Sequence, residues 1–457
     1  MKFRPYLIAF GLCFLMFIAG FVIWATHDDE PLDYSSMDIE IGPKDASING
    51  YTRLQEIGDS LEFDLGVLDD YYSDEYYDYS PFAAPMETLN IQEIREIVAA
   101  NLENIRAVDE AFTLEQFYVD DEPNVDTIIP SVGDLQDYTK VRTMEARLLA
   151  IDGDPDAALA RLLNLDEQLT RFAQGGGGLV HLLTATACIG ISNHEMLYLI
   201  SHYDLSEQAL RDAIKTYPLR NVLSDELATA IKWEFHFALN TLSLIQEEPE
   251  GLGMLDDNLG RIPPQLIKLV CKPNKTRNSF YQLYSGMLDD QNKPFADRKT
   301  VNPQKPSLFR SILRGNVVGE MLPLLLIPAT DRVTQSLAQQ DAYSAYIYLL
   351  FALRLYQLEH GSLPPTLDAL TPDIILNIPL DPYDGQPLRY NAERGIVYAV
   401  GIDGVDDGGN AYLSSFDYAH PDYEDAHIDD EIAHVDKNEP TFHIRFDLEP
   451  RTFERAE

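Results

Sequence analysis

The most informative part of the sequence begins with Gly361-Ser-Leu-Pro-Pro-Thr-Leu-Asp-Ala-Leu370 and ends with Gly401-Ile-Asp-Gly-Val-Asp-Asp-Gly-Gly-Asn410. Between them lies the extended segment Pro379-Leu-Asp-Pro-Tyr-Asp-Gly-Gln-Pro-Leu-Arg-Tyr390. A glycine followed closely by two prolines ends a helix, because glycine accepts the left-handed backbone of a C-cap and proline cannot continue the helix. The stretch therefore predicts a long helix that stops near residue 360, followed by a small extended module.

The helix before this stretch is predicted to cover residues 331–360. Apolar side chains recur along it at the spacing of one helical face. They are Ala342, Tyr346, Leu349, Leu353 and Tyr356. After the helix, short apolar runs at 388–390 and 396–400 flank the turn residues Glu393-Arg-Gly395 and predict a β-hairpin. Residues 441–447 have the pattern of a last strand.

Residues 341–410 resemble the globular module of the major pseudopilin of bacterial type II secretion. The ordered series Leu-Pro-x-x-Leu, Pro-Leu-Asp-Pro-Tyr, Leu-Arg-Tyr and Gly-x-Asp-Gly carries the resemblance. It implies a small α+β module that assembles or binds rather than catalyses. It also implies a possible link to secretion, because the pseudopilins belong to that apparatus.

The Asp/Gly loop at residues 403–410 is the best candidate for a metal site. Calcium prefers about six to eight oxygen ligands on a flexible, glycine-bearing loop. Such oxygens are offered by Asp403, Asp406, Asp407 and Asn410. In the major pseudopilins, which this segment resembles, the equivalent loop binds calcium. The alternative is a set of Asp-Gly turns in which the carboxylates bond to their own backbone.

The N-terminus predicts a transmembrane signal anchor over residues 1–26. An apolar run at 6–25 is long enough to cross a bilayer, since a span takes about 20 residues. Lys2 and Arg4 precede the run and acidic residues follow it, which places the N-terminus in the cytoplasm and the rest of the chain outside the inner membrane. A cleaved signal peptide is the alternative. A prepilin leader is excluded, because Gly20-Phe21 falls late within the run.

The composition is globular, with 45% hydrophobic residues, and strongly acidic, with a net charge of −41 from 34 basic and 75 acidic residues. A nucleic-acid partner is excluded, because phosphate binding requires a basic surface. At 457 residues the chain has room for two or three domains. The acidic surface is expected to support solubility.

The composition along the chain predicts five segments. After the anchor comes an acidic, tyrosine-rich tether at 27–87, which contains Asp69-Asp-Tyr-Tyr-Ser-Asp-Glu-Tyr-Tyr-Asp-Tyr79. Like charges keep such a stretch extended, although its tyrosines offer a second possibility, docking on the body. A helical domain follows at 88–328, then the long helix with its small β module at 329–420, and then an acidic tail at 421–457.

Within the helical domain, residues 135–174 predict two helices joined by Asp152-Gly-Asp-Pro-Asp156. This pair resembles one tetratricopeptide-type hairpin, but no copy recurs at that family's period, so a regular array is not predicted. Gly175-Gly-Gly-Gly178 then predicts a hinge. The following helix, 179–200, is apolar nearly all round and is expected in the core. The predicted fold is therefore mainly α, a multi-helix bundle with a small α+β end.

No catalytic signature is present in the sequence. The segment Asn193-His-Glu-Met-Leu-Tyr198 has tyrosine where a zinc-protease helix needs its second histidine. Neither a nucleophile elbow, a phosphate loop nor a dinucleotide fingerprint occurs. Cys188 is expected as a buried thiol, and a disulfide with Cys271 is the alternative.

From about 135 to 410 the chain also resembles families of membrane-anchored helical proteins from planctomycete-like bacteria. Those families have no assigned function, so the resemblance implies architecture and location only. The first functional hypothesis is a non-enzymatic, extracytoplasmic scaffold or binding protein with a partner protein in the envelope. The alternatives are a hydrolase that uses acidic residues of the helical body, and a helical groove that binds peptide or lipid.

Overall fold

The computed structural model describes residues 27–58, 60–65, 91–124, 132–217, 225–248, 271–290, 293–298, 319–322, 330–409 and 440–446, with isolated positions at 16, 20, 219, 315 and 316. Most of the predicted anchor, the acidic stretch 69–79, most of the tail and Asn410 lie outside these residues. No helix in the described part of the chain is long and apolar enough to cross a membrane.

The chain is mainly α-helical, as predicted. The α-helices of the described residues are α1 (Gly50–Gly58), α2 (Ile91–Ala100), α3 (Leu102–Phe112), α4 (Val132–Ile151), α5 (Pro155–Gln174), α6 (Leu179–His202), α7 (Glu207–Thr216), α8 (Asp225–Glu247), α9 (Pro273–Asp290) and α10 (Thr330–His360). Short 3-10 turns lie at Ser35–Met37, Phe295–Asp297 and Leu367–Leu370.

Helices α4, α5 and α6 pack on one another and form the centre of the body. The turn between α4 and α5 is the one the sequence predicts. The side chain of Asp154 accepts a hydrogen bond from the Ala157 N–H at 3.1 Å, and Pro155 occupies the first helical turn. Both residues suit a helix start, because the carboxylate satisfies a free N–H and proline needs no partner there.

Helix α6 is buried on most of its surface, as its uniformly apolar sequence predicts. Helix α10 packs against α6 and α7, and α8 packs against α6 and α9. Two apolar cores result. The larger surrounds α10, and the smaller lies between α2–α5 and the N-terminal segment. Cys188 and Cys271 are separate buried thiols, so the disulfide alternative is wrong.

The described part of the predicted tether, residues 27–58 and 60–65, is packed on the body instead of extending from it. The Asp28 carboxylate accepts hydrogen bonds from the backbone of Asn274 and Lys275 at the start of α9, at 2.9 and 3.0 Å. Met37 is fully buried, and its carbonyl oxygen lies 2.9 Å from His236 Nε2. The tether was predicted from the overall acidity of the segment, which takes no account of its few apolar residues. Burial depends on individual side chains and not on mean composition, so these residues can pack on the body.

The C-terminal module is a three-stranded antiparallel sheet of β1 (Arg389–Asn391), β2 (Ile396–Tyr398) and β3 (Thr441–His443), in that order. The predicted hairpin is β1–β2, with Tyr390 opposite Val397. The last strand predicted within residues 441–447 is confirmed as β3, inside the segment predicted as an acidic tail, and Phe442 lies opposite Val397. Phe442 also stacks on Tyr346 of α10 with ring centroids 4.3 Å apart, which joins the sheet to the long helix.

Candidate functional site

The glycine run between α5 and α6 forms one wall of a cavity. Gly176 and Gly177 have φ angles of +92° and +100°, which side-chain-bearing residues rarely adopt. A Cβ on Gly177 would lie 2.7 Å from Cγ of His181, and one on Gly178 would lie 2.5 Å from Oε1 of Glu234. The sequence predicts only a hinge here. In the fold, the missing side chains let the backbone approach an imidazole ring and a carboxyl group.

The cavity has a volume of about 280 Å³, enough for a small organic molecule. Its aromatic side comes from Tyr51 of α1 and from Trp233 and Phe237 of α8. The remaining apolar lining consists of Val119, Pro123 and Val180, and the polar lining consists of Asn124, His181 and Glu234. A largely apolar wall with a few polar groups is the usual composition of a small-molecule site.

His181 presents an unpaired acceptor in the lining of this cavity. Its side chain is 1% exposed, and its Nε2 lies 2.8 Å from the carbonyl oxygen of Phe172. Because a carbonyl only accepts, Nε2 carries the proton and Nδ1 keeps its lone pair. Nδ1 has no hydrogen-bond partner among the described residues. Burial lowers the pKa of His181 to about 4, so the ring is neutral at pH 7.

Trp233 presents an unpaired donor in the same lining. Its side chain is 3% exposed, and its indole Nε1 has no hydrogen-bond partner within the described part of the chain. An indole N–H can only donate, and a buried donor left unpaired costs about 1–3 kcal/mol. The nitrogen faces the glycine run, since a Cβ on Gly176 would lie 3.2 Å from it. The nitrogen has almost no accessible surface, so a molecule in the cavity does not reach it in this arrangement of the side chain.

Glu234 is the acidic group of the cavity. Its Oε1 accepts a hydrogen bond from the Leu179 N–H at 2.8 Å, at the start of α6. The positive end of the helix dipole favours a carboxylate at this position. Burial raises the pKa of Glu234 above its ordinary value. Neither lysine nor arginine appears among the described residues that line the cavity.

Three segments that are distant in sequence meet beside the cavity. The Val119 N–H donates to the Gly175 carbonyl at 2.9 Å, and the Gly42 N–H donates to the Val119 carbonyl at 2.8 Å. The side chain of Asn49 adds a further hydrogen bond between the segments, which it donates to the Tyr118 carbonyl at 2.8 Å. The N-terminal segment, the 116–124 loop and the glycine run are therefore held together by backbone hydrogen bonds. This explains why no local motif signals the site.

The predicted calcium ligands are arranged as turns in the part of the loop that the structure describes. Asp403 Oδ1 accepts from the Val405 N–H, and Asp406 Oδ1 accepts from the Gly408 N–H, both at 3.0 Å. Asp406 Oδ2 also lies 3.5 Å from Nε of Arg389. The described residues contain no group of three or more His, Cys, Asp or Glu side chains that could hold a metal ion.

These two carboxylates fit the Asp-Gly turn alternative better than a metal site, because a guanidinium competes for one of them. Asp407 is exposed on the same loop, and Asn410 lies outside the described residues. Calcium at Asp403, Asp406, Asp407 and Asn410 therefore stays a prediction.

The incomplete zinc-protease motif is part of a buried ion pair. Both Glu195 oxygens accept from Arg147, from Nε and from a terminal nitrogen, each at 2.6 Å. The guanidinium carbon lies 3.3 Å from the ring centroid of Tyr198. His202 Nδ1 lies 2.8 Å from the Tyr198 carbonyl oxygen. A carboxylate held in this bidentate way is not poised to act as a general base.

No motif in the sequence predicts a site at Tyr51, His181, Trp233 or Glu234. The sequence offers only a weak indication of the site. A histidine lies three residues after the glycine run, and a Trp-Glu pair lies on a helix that is distant in sequence. Comparison of the chain with known protein families, curated proteins and solved structures finds no match. The function is therefore argued from the cavity.

Proposed function

We propose that this chain is a non-enzymatic binding protein that holds a small organic ligand in the cavity beside the glycine run. The observation that carries the proposal is the composition of the lining, which combines the aromatic side chains of Tyr51, Trp233 and Phe237 with the acidic group of Glu234. A largely apolar wall with a few polar groups is typical of sites that bind small organic molecules. Glu234 offers a ligand further acceptor capacity, because a carboxylate accepts more than the one hydrogen bond that the Leu179 N–H donates.

The proposal is tested with Trp233 as the reporter. The chain has two tryptophans, Trp24 and Trp233, so a Trp24→Phe background leaves one emitting indole inside the cavity. The full-length protein in detergent is titrated with a set of cationic, neutral and anionic aromatic fragments. We expect a saturable change in emission and a rise in Tm for at least one fragment class, because ligand binding stabilises the folded state.

A matched pair of variants locates the binding. Val180→Phe adds bulk at a residue that lines the cavity and is half exposed, so it obstructs the site without disturbing the core. Leu244→Phe makes the same kind of change on α8, outside the lining. We expect the first variant to weaken binding about tenfold or more and the second to leave it unchanged. Equal affinities in both variants, or no fragment binding up to millimolar concentration, would refute the proposal.

We propose in addition that the protein is held in the inner membrane by residues 6–25, with its bulk outside the cytoplasm and a partner protein in the envelope. The support is the length of the apolar run and the basic residues before it. Protease added to intact spheroplasts is expected to digest the body, and alkaline extraction is expected to leave the full chain in the membrane fraction. Release of intact protein by alkaline extraction would contradict the anchor.

A further inference from the structure

The N-terminal segment joins the end of the apolar run closely to the start of α9. The Asp28 carboxylate accepts hydrogen bonds from the backbone N–H groups of Asn274 and Lys275, at 2.9 and 3.0 Å. Asp28 lies three residues after Ala25, where the apolar run ends. Three residues of extended chain span at most about 11 Å. With residues 6–25 in the bilayer, as proposed above, the first turn of α9 lies at the membrane surface.

The same segment then follows α9 away from this end. The side chain of Asn278 donates to the Glu30 carbonyl at 2.8 Å and accepts from the Leu32 N–H at 3.0 Å. Further along, the hydroxyls of Ser36 and Tyr281 lie 3.1 Å apart. Between the first and the last of these contacts the segment advances about 10 Å along α9, since a helix rises about 1.5 Å per residue. The body is therefore oriented with the N-terminal end of α9 toward the bilayer.

The charge of the chain is segregated in a way that matches this orientation. Residues 261–314, which include α9, carry 11 basic and 3 acidic side chains, and residues 27–34 carry 4 acidic ones. The two segments together have a net charge of +4, whereas the remainder of the chain has −45. A negatively charged membrane surface attracts the first part and repels the second. The charges therefore favour the same end of the body as the hydrogen bonds do.

Two basic side chains at the start of α9 are available for contact with lipid. Lys275 and Arg277 are partly exposed, and neither forms an ion pair within the described part of the chain. Arg277 donates a long hydrogen bond of 3.4 Å to the hydroxyl of Ser243. The N–H groups of this helix start already bond to Asp28, so the two side chains supply the positive charge that a lipid phosphate would meet. Each basic group close to an anionic membrane contributes about fivefold to binding.

We infer that the N-terminal end of α9 docks on the membrane, with Lys275 and Arg277 against the phosphate groups of anionic phospholipids. The inference rests on the proposed anchor at residues 6–25. It adds the face of the body that meets the bilayer and the class of lipid that this face contacts. The body is held against the membrane by its own fold instead of being separated from it by a tether, and the acidic remainder of the chain faces away.

Two labelled positions on α9 test the orientation. The full-length protein is placed in lipid nanodiscs, and a fluorophore is attached to Ser279→Cys or to Asp289→Cys, both at exposed positions. These positions are about 15 Å apart along the helix axis. The parent protein, in which Cys188 and Cys271 are buried, measures the background labelling. We expect lipids with a nitroxide on the headgroup to quench the label at position 279 strongly and the label at position 289 weakly. Equally weak quenching at both positions would show that the body stands away from the membrane, and would overturn the inference.

Removal of charge tests the lipid class. In the labelled Ser279→Cys protein, Lys275→Gln with Arg277→Gln removes two positive charges from the proposed contact. The control, Arg211→Gln with Lys215→Gln, removes two from the exposed surface of α7, and each variant is first checked for an unchanged Tm. Nanodiscs that contain phosphatidylglycerol are compared with nanodiscs of phosphatidylcholine alone. We expect phosphatidylglycerol to increase the quenching in the control, and this increase to be lost in the α9 variant. An increase that survives in the α9 variant, or that is lost equally in both, would overturn the assignment of lipid contact to these two residues.

The outcomes separate the inference from the proposed anchor. If alkaline extraction releases the protein from the membrane, the anchor is refuted and the inference fails with it. If the protein stays in the membrane but the label at position 279 is not quenched, the anchor stands and only the docking of α9 is refuted.

Discussion

Nε2 of His181 lies 2.8 Å from the carbonyl oxygen of Phe172, and the two rings stack with centroids 4.0 Å apart. The hydrogen bond fixes the tautomer and the stacking fixes the plane of the ring. The imidazole is therefore held at the start of α6, one turn from the glycine run, and its second nitrogen is buried without a hydrogen-bond partner among the described residues.

The neutral state of His181 predicts a loss of stability in mild acid. Its pKa is about 4 in the folded protein and near the ordinary 6.5 when unfolded, so the unfolded chain binds more protons between those values. The free energy of unfolding therefore falls as pH drops below 6.5. The contribution of this residue between pH 7.5 and pH 5 is about 2 kcal/mol. Denaturant melts of the wild type and His181→Gln at both pH values measure it. An unchanged pH dependence in the variant would contradict the prediction.

The glycine run predicts a steric effect at Gly177 beyond the cost of its backbone angle. Gly177→Ala places a Cβ 2.7 Å from the His181 ring, whereas Gly153→Ala, at a similar φ of +93°, meets nothing within 4 Å. Both substitutions incur about 1–2 kcal/mol of backbone strain. We expect Gly177→Ala to cost a further 1–3 kcal/mol, roughly, from overpacking and to weaken ligand binding. Thermal melting of the two variants measures the difference in their stability. Equal losses of Tm would show that the His181 ring moves aside without cost.

The buried pair of Arg147 and Glu195 predicts an asymmetric response to mutation. Glu195→Ala leaves a buried guanidinium without its carboxylate and should cost about 3–5 kcal/mol. The double variant Arg147→Met with Glu195→Leu removes both charges and should cost much less, because no unpaired charge remains. Unfolding by urea, followed by circular dichroism, compares the two. A double variant as unstable as Glu195→Ala would indicate that the packing of these two side chains, and not their charge, determines the loss of stability.

Asp381 is expected to hold the C-terminal module together. It is fully buried and accepts from the backbone of Tyr383 and Val400, both at 2.8 Å, and from Arg389 at 2.6 Å. Asp381→Ala leaves the backbone N–H groups of Tyr383 and Val400 unpaired and should cost about 2–4 kcal/mol, whereas Arg389 keeps its ion pair with Asp384. Asp406→Ala removes a half-exposed partner of Arg389 and should cost less than about 1 kcal/mol. Amide hydrogen exchange of β1 and β2 is the readout. Similar protection in both variants would argue against this role.

Calcium titration decides between the two interpretations of the Asp/Gly loop. We expect no saturable binding up to millimolar calcium, because Asp403 and Asp406 already bond to their own loop and Asp406 lies beside Arg389. Binding that raises the Tm, and that is lost in Asp403→Ala with Asp406→Ala, would establish the calcium site that the pseudopilin resemblance implies.

Local patterns were sufficient where a structure depends on neighbouring residues. The Asp154 cap, the end of α10 at Gly361, the core position of α6 and the β1–β2 hairpin follow from spacing, capping and turn residues within a few positions of one another. Segment composition was a poorer guide. It predicted a tether over residues 27–87, although apolar side chains of the described part pack in the core. The alternating pattern at 441–447 predicted β3, which composition alone would have left within an acidic tail.

Patterns in the amino-acid sequence were enough to predict a mainly helical chain and the bounds of its principal helices, and they show its acidity. The cavity itself is formed by packing between segments that are distant in sequence. These are Tyr51, the 116–124 loop, the glycine run and the pair Trp233-Glu234. The physical reason is that periodicity and capping are local properties of the chain, whereas a binding site is formed by packing between distant segments. The set of unpaired polar atoms is likewise a property of the whole fold, because each polar atom can find its partner on a distant segment.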